Sequence, residues 1–209
     1  TLWFAQAQGM RLHYVSREAF RQRDEMKFQE ELLTRFGRHY YLPEGGTNAL
    51  AVRGCTEIVP AELPFDCVAC CVGTGGTLAG VLAGTAGRAT VLGFPALKGG
   101  TFLQKEVDQL TRQYNEQEYE HYRFIHDYHF GGYARVKPEL IRFINNFFQA
   151  TSISLEPMYT GKMLYGLYDM IQKGQFPSGS RILIIHSGGL QGIAGFNERY
   201  HSKNLCILT

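Results

Sequence analysis

Two short apolar runs in this chain each end in a glycine-rich turn, and this pairing constrains the fold more than any other feature. Cys67–Val72 leads into Gly73–Thr77, and Ile182–Ile185 leads into Ser187–Gly189. Short apolar runs bounded by glycine are typical of buried strands in a parallel sheet. Backbone N–H groups at the start of a helix have no partner within it and carry its positive dipole end, so a turn that opens a helix binds anions. The two turns therefore predict one phosphorylated ligand.

Strand-like and helix-like patterns alternate along the chain, which indicates an α/β fold with helices on the faces of a mostly parallel sheet. Strands are predicted at 11–15, 67–72, 90–94, 123–126 and 182–185. Helices are predicted at 24–36, from about 49, at 77–86, at 103–114, from 138, and lastly at 161–173. Residues 67–94 form a βαβ crossover in this pattern. The turn Pro43–Asn48 is the best linker candidate and is expected to cap the helix that follows it.

Composition indicates an ordinary soluble globular protein and excludes several classes. The chain has 209 residues, 44% hydrophobic and 19% charged, and its net charge of +2 comes from interspersed charges, so no nucleic acid is expected as a partner. Leu2–Ala7 is too short for a membrane span, and no membrane partner is expected. Five cysteines in mostly apolar stretches suit free thiols in the cytoplasm. Cys67 and Cys70 would point to opposite faces of a strand, so they favour buried core over a metal site.

The first glycine-rich turn suits a phosphate monoester better than a nucleotide. A dinucleotide-binding turn would need a glycine where Leu78 stands and an acid after the second strand, which ends in Leu92–Phe94. A Walker-type loop would need a Gly-Lys-Ser/Thr sequence, which the chain lacks. What remains is a turn with three glycines, two threonine hydroxyls and no basic residue, which suits a phosphate held by backbone amides. By itself such a turn is also compatible with tight packing alone.

Five motifs together resemble those of a known family. They are Tyr41–Asn48, Gly73–Thr77, Gly131–Tyr133, Pro157–Lys162 and His186–Gly189, in the family's order. The chain is similar to the pyridoxal-phosphate (PLP) enzymes of the 1-aminocyclopropane-1-carboxylate deaminase and D-cysteine desulfhydrase group. The resemblance implies a three-layer α/β sandwich of the tryptophan synthase beta-like fold, PLP fold type II. It also implies a small amino-acid substrate and a homodimer.

The resemblance also implies roles for individual residues. The cofactor-binding residues would be Gly73, Thr74, Gly75, Gly76, Thr77, Ser187 and Gly188. Gly73–Thr77 would hold the phosphate, and the Ser187 hydroxyl would face the pyridine nitrogen without forcing its protonation, which favours elimination over transamination. Tyr133 and Tyr159 would be the catalytic residues, positioning a carboxylate or transferring a proton. Taken without the family, both tyrosines are better explained by packing, and Ser187 by a helix cap, a role compatible with the first.

Two departures from the family pattern shape the functional hypothesis. Ring-opening deaminases of the group have a glutamate where this chain has Thr160, so the resemblance favours β-elimination from D-cysteine, releasing pyruvate, ammonia and sulfide. The family's Schiff-base lysine segment and the Ser-Asn-His segment after it do not occur here. Lys98 and Lys162 match other family positions, and neither is assigned that role. We expect an N-terminally incomplete chain, inactive alone, with a small-domain remnant at 1–36 and the PLP-binding domain at 37–209.

Three hypotheses stay open at this stage. The first and favoured one is part of a PLP-dependent lyase or deaminase, with 1-aminocyclopropane-1-carboxylate deaminase proper as the alternative activity. The second is a non-catalytic module that binds a phosphorylated ligand, which the missing lysine would suit. The third is an unrelated α/β enzyme of nucleotide or sugar phosphates, which an acid at the end of the second strand would have favoured.

Overall fold

The computed structural model describes residues 2–203 and 205–209. The chain divides into two compact units, with the boundary between Leu42 and Pro43. The predicted division at residue 36 therefore lies six residues before the boundary between the units, and its assignment to a small and a large domain stays a prediction. Among the residues that the structure describes, none of the helices combines the length and the apolar character that a membrane span requires.

The first unit is helical. Its helices are α1 (Leu2–Ala7), α2 (Arg17–Arg21) and α3 (Met26–Phe36). Helix α3 ends at Gly37, as predicted, and the Gly37 N–H donates to the Leu33 carbonyl at 2.8 Å with Gly37 at φ +71°. The predicted strand at 11–15 is wrong, because these residues have no regular structure and no described strand pairs with them. Alternating side chains alone do not make a strand without a partner for its backbone.

The second unit alternates strands and helices. Its strands are β1 (Cys67–Val72), β2 (Thr90–Pro95), β3 (Tyr122–Phe124) and β4 (Ile182–Ile185). Its helices are α4 (Ala49–Thr56), α5 (Gly76–Thr85), α6 (Leu103–Asn115), α7 (Pro138–Thr151), α8 (Thr160–Gln172) and α9 (Gly192–Tyr200). The element types predicted between residues 49 and 185 are confirmed, although β3 begins and ends earlier than predicted. Helix α9 was missed.

All four strands are parallel and lie in the order β3-β2-β1-β4. Cys67 pairs with Thr90 of β2 on one side and with Ile182 of β4 on the other. The predicted βαβ crossover is confirmed, because β1 and β2 are parallel neighbours joined through α5. The carboxyl ends of β1 and β4, and the two glycine-rich turns after them, therefore lie at the same edge of the sheet.

The sheet separates two hydrophobic clusters, which gives the predicted three layers. Alternate β1 residues, among them Cys67, enter the cluster built with α7, α8 and α9. The intervening β1 residues, among them Cys70, enter the cluster built with α4, α5 and α6. Cys67 and Cys70 thus face opposite sides of the sheet, as predicted, and both are buried free thiols. Burying both faces explains why β1 is a continuous apolar run.

Candidate functional site

The turn between β1 and α5 is shaped by glycines. Gly75 is buried at the N-cap of α5 with φ +92°, a backbone conformation that favours glycine. A Cβ atom on Gly75 would lie 2.9 Å from Val107 Cγ2, so there is also no space for a side chain. The first N–H groups of α5 have no partner within the helix, and the turn carries no basic side chain. This donor set fits a phosphate monoester held by backbone amides.

A second segment lies against this turn, a contact that the sequence pattern did not predict. The Thr47 and Thr74 hydroxyls form a hydrogen bond of 2.5 Å. Gly45, at φ +69°, lies so close that a Cβ atom there would be 2.8 Å from Thr74 Oγ1. The predicted linker Pro43–Asn48 is therefore packed against the phosphate turn of the second unit. Its predicted capping role is confirmed, since the Ala51 N–H donates to Asn48 Oδ1 at 2.9 Å.

Helices α4 and α5 both begin beside this turn. A Cβ on Gly76 would lie 3.1 Å from Thr47 Oγ1, whereas a Cβ on Gly84, two turns later, would lie 2.4 Å from the Thr56 carbonyl oxygen. Contacts thus advance along both helices in the same direction, so the helices run parallel. Glycines at every fourth position of α5, which are Gly76, Gly80 and Gly84, let the backbones of α4 and α5 approach closely. The positive dipole ends of two helices consequently point to the edge where the anion would bind.

Ser187 lies beside Cys71, at the end of the neighbouring strand. The Ser187 hydroxyl is 3.3 Å from the Cys71 thiol, and the side chain of Ser187 is exposed. The interpretation of Ser187 as a helix cap is wrong, because α9 begins only at Gly192 and its N-cap is Gln191. Two glycines with φ of +95° and +84° follow Ser187 and delay the helix.

His186 fixes the backbone of this second turn. Its Nε2 lies 2.8 Å from the Ser154 carbonyl oxygen, and the Gly188 N–H donates to its Nδ1 at 3.3 Å. These two bonds fit the tautomer with the proton on Nε2. Gly188 is half-buried, so the imidazole ties one of the predicted cofactor-binding residues to the segment before α8.

The two tyrosines predicted for the substrate side are neighbours. The ring centroids of Tyr133 and Tyr159 are 5.7 Å apart, and Tyr133 is 54% exposed. A Cβ on Gly73 would lie 3.4 Å from the Tyr159 ring, so Tyr159 also borders the phosphate turn. Burial raises the pKa of Tyr159 well above its ordinary value, and the neighbouring Tyr133 adds to the rise. Tyr159 is therefore a protonated phenol, able to donate a hydrogen bond, at neutral pH.

Glu156 supports Tyr159 and was missed by sequence reasoning. Glu156 is 3% exposed, and its carboxylate accepts hydrogen bonds from the backbone N–H groups of Met158, Tyr159 and Thr160 at 2.6, 2.8 and 2.6 Å. The Thr160 hydroxyl donates to the same carboxylate at 3.2 Å. An anion at the start of α8 is stabilised by free N–H groups and by the helix dipole. The sequence did offer one signal for this role, an acidic residue four positions before the first residue of α8.

Lys162 is buried on α8 and engaged elsewhere. It is 2% exposed, and its Nζ donates to the carbonyl oxygens of His129 and Gly132 at 3.1 and 2.8 Å. Burial lowers the pKa of Lys162 to about 8, while the Glu156 carboxylate opposes that change. Lys98 is exposed. Within the described residues, no group of three or more His, Cys, Asp or Glu side chains could hold a metal ion.

The structure thus brings together all the predicted site residues at the carboxyl edge of the sheet. The phosphate turn contacts Tyr159, Tyr159 contacts Tyr133, and β1 contacts Ser187 through Cys71. In open α/β sheets this edge is the usual place for a ligand. One end of the site offers amide and hydroxyl donors, and the other offers two phenols.

Comparison with known proteins agrees with this geometry. The family model described as "Pyridoxal-phosphate dependent enzyme" matches residues 2–188. A Pyrococcus horikoshii protein, named provisionally as a 1-aminocyclopropane-1-carboxylate deaminase, is 31% identical over an alignment of 189 residues that covers 83% of this chain and 58% of that protein. The Arabidopsis thaliana protein named "Bifunctional D-cysteine desulfhydrase/1-aminocyclopropane-1-carboxylate deaminase, mitochondrial" is 30% identical, over 88% of this chain and 51% of its own length.

Solved structures agree on the fold. A crystal structure titled as that of an ACC deaminase homologue superposes with a TM-score of 0.80 and 27% identity, covering 96% of this chain and 65% of the other. A tomato (Solanum lycopersicum) threonine deaminase gives a TM-score of 0.51 at 15% identity, which bears on the fold alone. The predicted tryptophan synthase beta-like fold is confirmed. The chain spans between half and two thirds of the length of these curated relatives and this homologue.

Proposed function

The chain belongs to the pyridoxal-phosphate dependent enzyme family, and from that premise we propose that its second unit holds the PLP phosphate on Gly73–Thr77. The observation that carries this proposal is the turn itself. A side chain at Gly75 would overlap Val107, one at Gly76 would press on Thr47, and the Thr47–Thr74 hydroxyl pair closes one side. The free N–H groups of α5 supply the donors. When bound, PLP supplies an electron sink for chemistry at the amino-acid α-carbon.

Ser187 and Gly188 are proposed to hold the ring side of the cofactor. Ser187 follows β4, next to the phosphate turn that follows β1, and its hydroxyl contacts Cys71 at 3.3 Å. A hydroxyl is neutral and does not require a protonated pyridine nitrogen, in contrast to an aspartate. That choice of partner favours elimination over transamination.

Tyr133 and Tyr159 are proposed to bind the substrate carboxylate and to move protons near it. Two phenols with ring centroids 5.7 Å apart suit a small carboxylate better than a long side chain. Because the pKa of Tyr159 is raised, this residue acts as a hydrogen-bond donor or general acid rather than as a phenolate. The substrate class is therefore a small amino acid.

The proposed activity is β-elimination from D-cysteine rather than opening of a cyclopropane ring. Its support is Thr160, which is fully buried and uses its hydroxyl on Glu156. Position 160 consequently offers no carboxylate to a substrate. 1-Aminocyclopropane-1-carboxylate deaminase activity remains the alternative, since the name of the Arabidopsis relative gives both activities for that protein.

We also propose that the Schiff-base lysine lies outside this chain, which is then inactive alone. Lys162 supports this, because its ammonium donates to two backbone carbonyls, those of His129 and Gly132. The first unit would be the remnant of a small domain and the second the PLP-binding domain, within a cytoplasmic homodimer. Sedimentation of the PLP-loaded protein tests the dimer.

Cofactor binding is tested by titrating the chain with pyridoxal phosphate and, separately, with pyridoxal. If the turn holds the phosphate, PLP binds at least about tenfold more tightly than pyridoxal, since charge-assisted hydrogen bonds are the strong ones. Gly75→Ala should remove this difference. The matched control is Gly179→Ala, which also has positive φ but lies in an exposed loop with nothing within 4 Å. Equal affinity for PLP and pyridoxal would overturn the proposal.

Borohydride reduction and peptide mapping of the PLP-loaded chain test the lysine proposal. We expect no specific lysine adduct, and an adduct at one lysine would contradict it. A version extended upstream is then offered D-cysteine and 1-aminocyclopropane-1-carboxylate. We expect sulfide and pyruvate to be released from D-cysteine faster than ammonia is released from 1-aminocyclopropane-1-carboxylate. PLP binding without either reaction would favour the non-catalytic module.

A further inference from the structure

The turn that presents Tyr133 has an unfavourable backbone. Gly131 and Gly132 have φ of +100° and +119°, and the non-glycine residues Phe130 and Ala134 have φ of +54° and +56°. Side chains make the left-handed region costly, and such a run persists only where the surroundings hold it in place. Tyr133 itself is 54% exposed, so burial of its ring contributes little to holding the turn.

Local hydrogen bonds in this turn involve only its near neighbours. The Gly131 N–H donates to His129 Nδ1 at 2.9 Å, and the Gly132 N–H donates to the His129 carbonyl at 3.0 Å. The Arg135 N–H donates to the Gly132 carbonyl at 3.1 Å. These bonds shape the turn but do not fix its place relative to α8, which Tyr159 immediately precedes.

Aromatic side chains anchor the start of this segment on α8, since the Phe130 and Tyr165 rings are 5.0 Å apart and the Tyr128 hydroxyl donates to Asp169. Lys162 adds the polar connection that reaches the middle of the turn. Its ammonium donates to the carbonyls of both His129 and Gly132, at 3.1 and 2.8 Å, and so joins the beginning and the middle of the turn to the first turn of α8. Tyr159 immediately precedes α8, where its N–H donates to the buried Glu156 carboxylate. One helix end therefore carries two buried charges, one holding the Tyr133 segment and the other holding the Tyr159 segment.

From this arrangement we propose that Lys162 is a positioning residue, which sets Tyr133 beside Tyr159 and thereby determines how well the site holds a substrate carboxylate. This inference rests on the proposed substrate-side role of the two tyrosines. A buried ammonium is costly to desolvate, and an apolar side chain of equal length often serves packing as well or better. Its bonds to the two carbonyls therefore point to placement of the turn rather than to stability.

The first test needs no cofactor. Lys162→Met keeps the length of the side chain and removes its donors, and Lys162→Arg keeps donors. We expect amide hydrogen exchange in peptides covering 129–135 to quicken at least about tenfold in Lys162→Met, while β1 and α5 keep their protection, and Lys162→Arg to recover part of the effect. The control is Lys98→Met, because Lys98 lies against the outer side of Gly132, with its Cβ 3.4 Å from where a Gly132 Cβ would be.

The second test measures amino-acid binding by the PLP-loaded chain, with D-alanine as a probe that has no leaving group. Lys162→Met should weaken D-alanine binding about tenfold while leaving PLP affinity unchanged. In a Tyr133→Ala background, the same substitution should weaken binding less than about twofold, because residues that act through one another are not additive.

The outcomes separate this inference from the proposed function. Unchanged exchange at 129–135, or faster exchange throughout the second unit, would overturn the positioning role of Lys162. Equal effects of Lys162→Met with and without Tyr133 would do so as well, whereas a wild-type PLP complex that does not respond to D-alanine would overturn the proposed substrate-side role of the two tyrosines. Failure of the wild-type chain to bind PLP would instead overturn the proposed function, and the exchange measurement would still decide whether Lys162 holds the turn.

Discussion

The two glycine-rich turns of the site follow neighbouring parallel strands but differ in how they are held. The turn at Gly73–Thr77 follows β1, which pairs with β2 on one side and β4 on the other and is buried along its whole length. The turn at Ser187–Gly189 follows β4, which among the described strands pairs only with β1 and is partly exposed. The first turn is packed at Gly75 and Gly76, whereas the second is packed only at Gly189, beside Glu156, and is otherwise held by hydrogen bonds, with open space around Gly188.

This difference suits the two roles proposed for the turns. A phosphate bound by backbone amides requires donors that are fixed before it arrives, because reordering a loop on binding costs affinity. Gly75 and Gly76 are fixed by their contacts with α6 and with Thr47. The ring side requires one hydroxyl at the correct place, and the Cys71 thiol and the His186 ring suffice to position it.

The largest expected effect comes from adding one methyl group to each turn. Gly75 and Gly188 have nearly the same φ, +92° and +95°, but a Cβ would meet Val107 at 2.9 Å in the first case and nothing within 4 Å in the second. Gly188→Ala should lower the free energy of unfolding by about 1 kcal/mol, the cost of positive φ. Gly75→Ala adds overpacking and should lower it by about 2–4 kcal/mol.

Urea unfolding of the chain without PLP measures both values. Equal losses for Gly75→Ala and Gly188→Ala would mean that Val107 moves aside at no cost. In that case the two turns would be equally adaptable, and the contrast between a fixed phosphate site and a loosely held ring site would not stand.

The second prediction removes the hydroxyl that closes the phosphate turn. Thr74→Val keeps the side-chain shape but leaves the Thr47 hydroxyl without its partner at 2.5 Å. Loss of one hydrogen bond and a less ordered turn should weaken PLP binding by about tenfold, equivalent to about 1.4 kcal/mol. Thr90→Val, at the opposite end of the sheet, should leave PLP affinity unchanged. PLP titration compares the variants, and equal affinities would remove the hydroxyl pair from the site.

A third, smaller effect is expected on the ring side. Ser187→Ala removes the proposed hydrogen bond to the pyridine nitrogen and should weaken PLP binding by less than about fivefold, the value of one exposed neutral hydrogen bond. Pyridoxal, which has no phosphate, should lose affinity by the same factor. If Ser187→Ala weakens PLP more than Thr74→Val does, then the ring turn, not the phosphate turn, dominates cofactor affinity.

The sequence predicted those parts of the site that depend on local pattern. An apolar run predicts β1, and the cluster of glycines after it predicts the turn. The small residues that follow predict α5. The strand at 11–15 failed because alternation in a short segment does not supply a pairing partner. Helix α9 was missed because glycines at 188 and 189 separate it from the strand that precedes it.

Residues whose role depends on distant contacts could not be found in this way. Thr47 meets Thr74 across 27 positions in the chain, and Lys162 reaches His129 and Gly132 across about 30. Both Thr47 and Lys162 lie in motifs that carry the family resemblance, but nothing in the local pattern indicates these contacts. Glu156 is the intermediate case, since its bonds are local and it precedes a helix, yet its burial becomes evident only in the fold.

The smallest expected effect concerns the thiol that lies between the two turns. Burial raises the pKa of Cys71, and its hydrogen bond with Ser187 opposes that rise. Ser187→Ala should therefore raise the pKa of Cys71 further, lower the thiolate fraction at pH 8 and slow alkylation by less than about threefold. A shorter side chain that only opened access would speed alkylation instead, so the sign of the change distinguishes the two effects.

Mass spectrometry of iodoacetamide labelling measures the rate, with partly exposed Cys55 as the unaffected control. Faster labelling would mean that Ser187 covers Cys71 rather than binding it, and that no hydrogen bond couples the ring turn to β1.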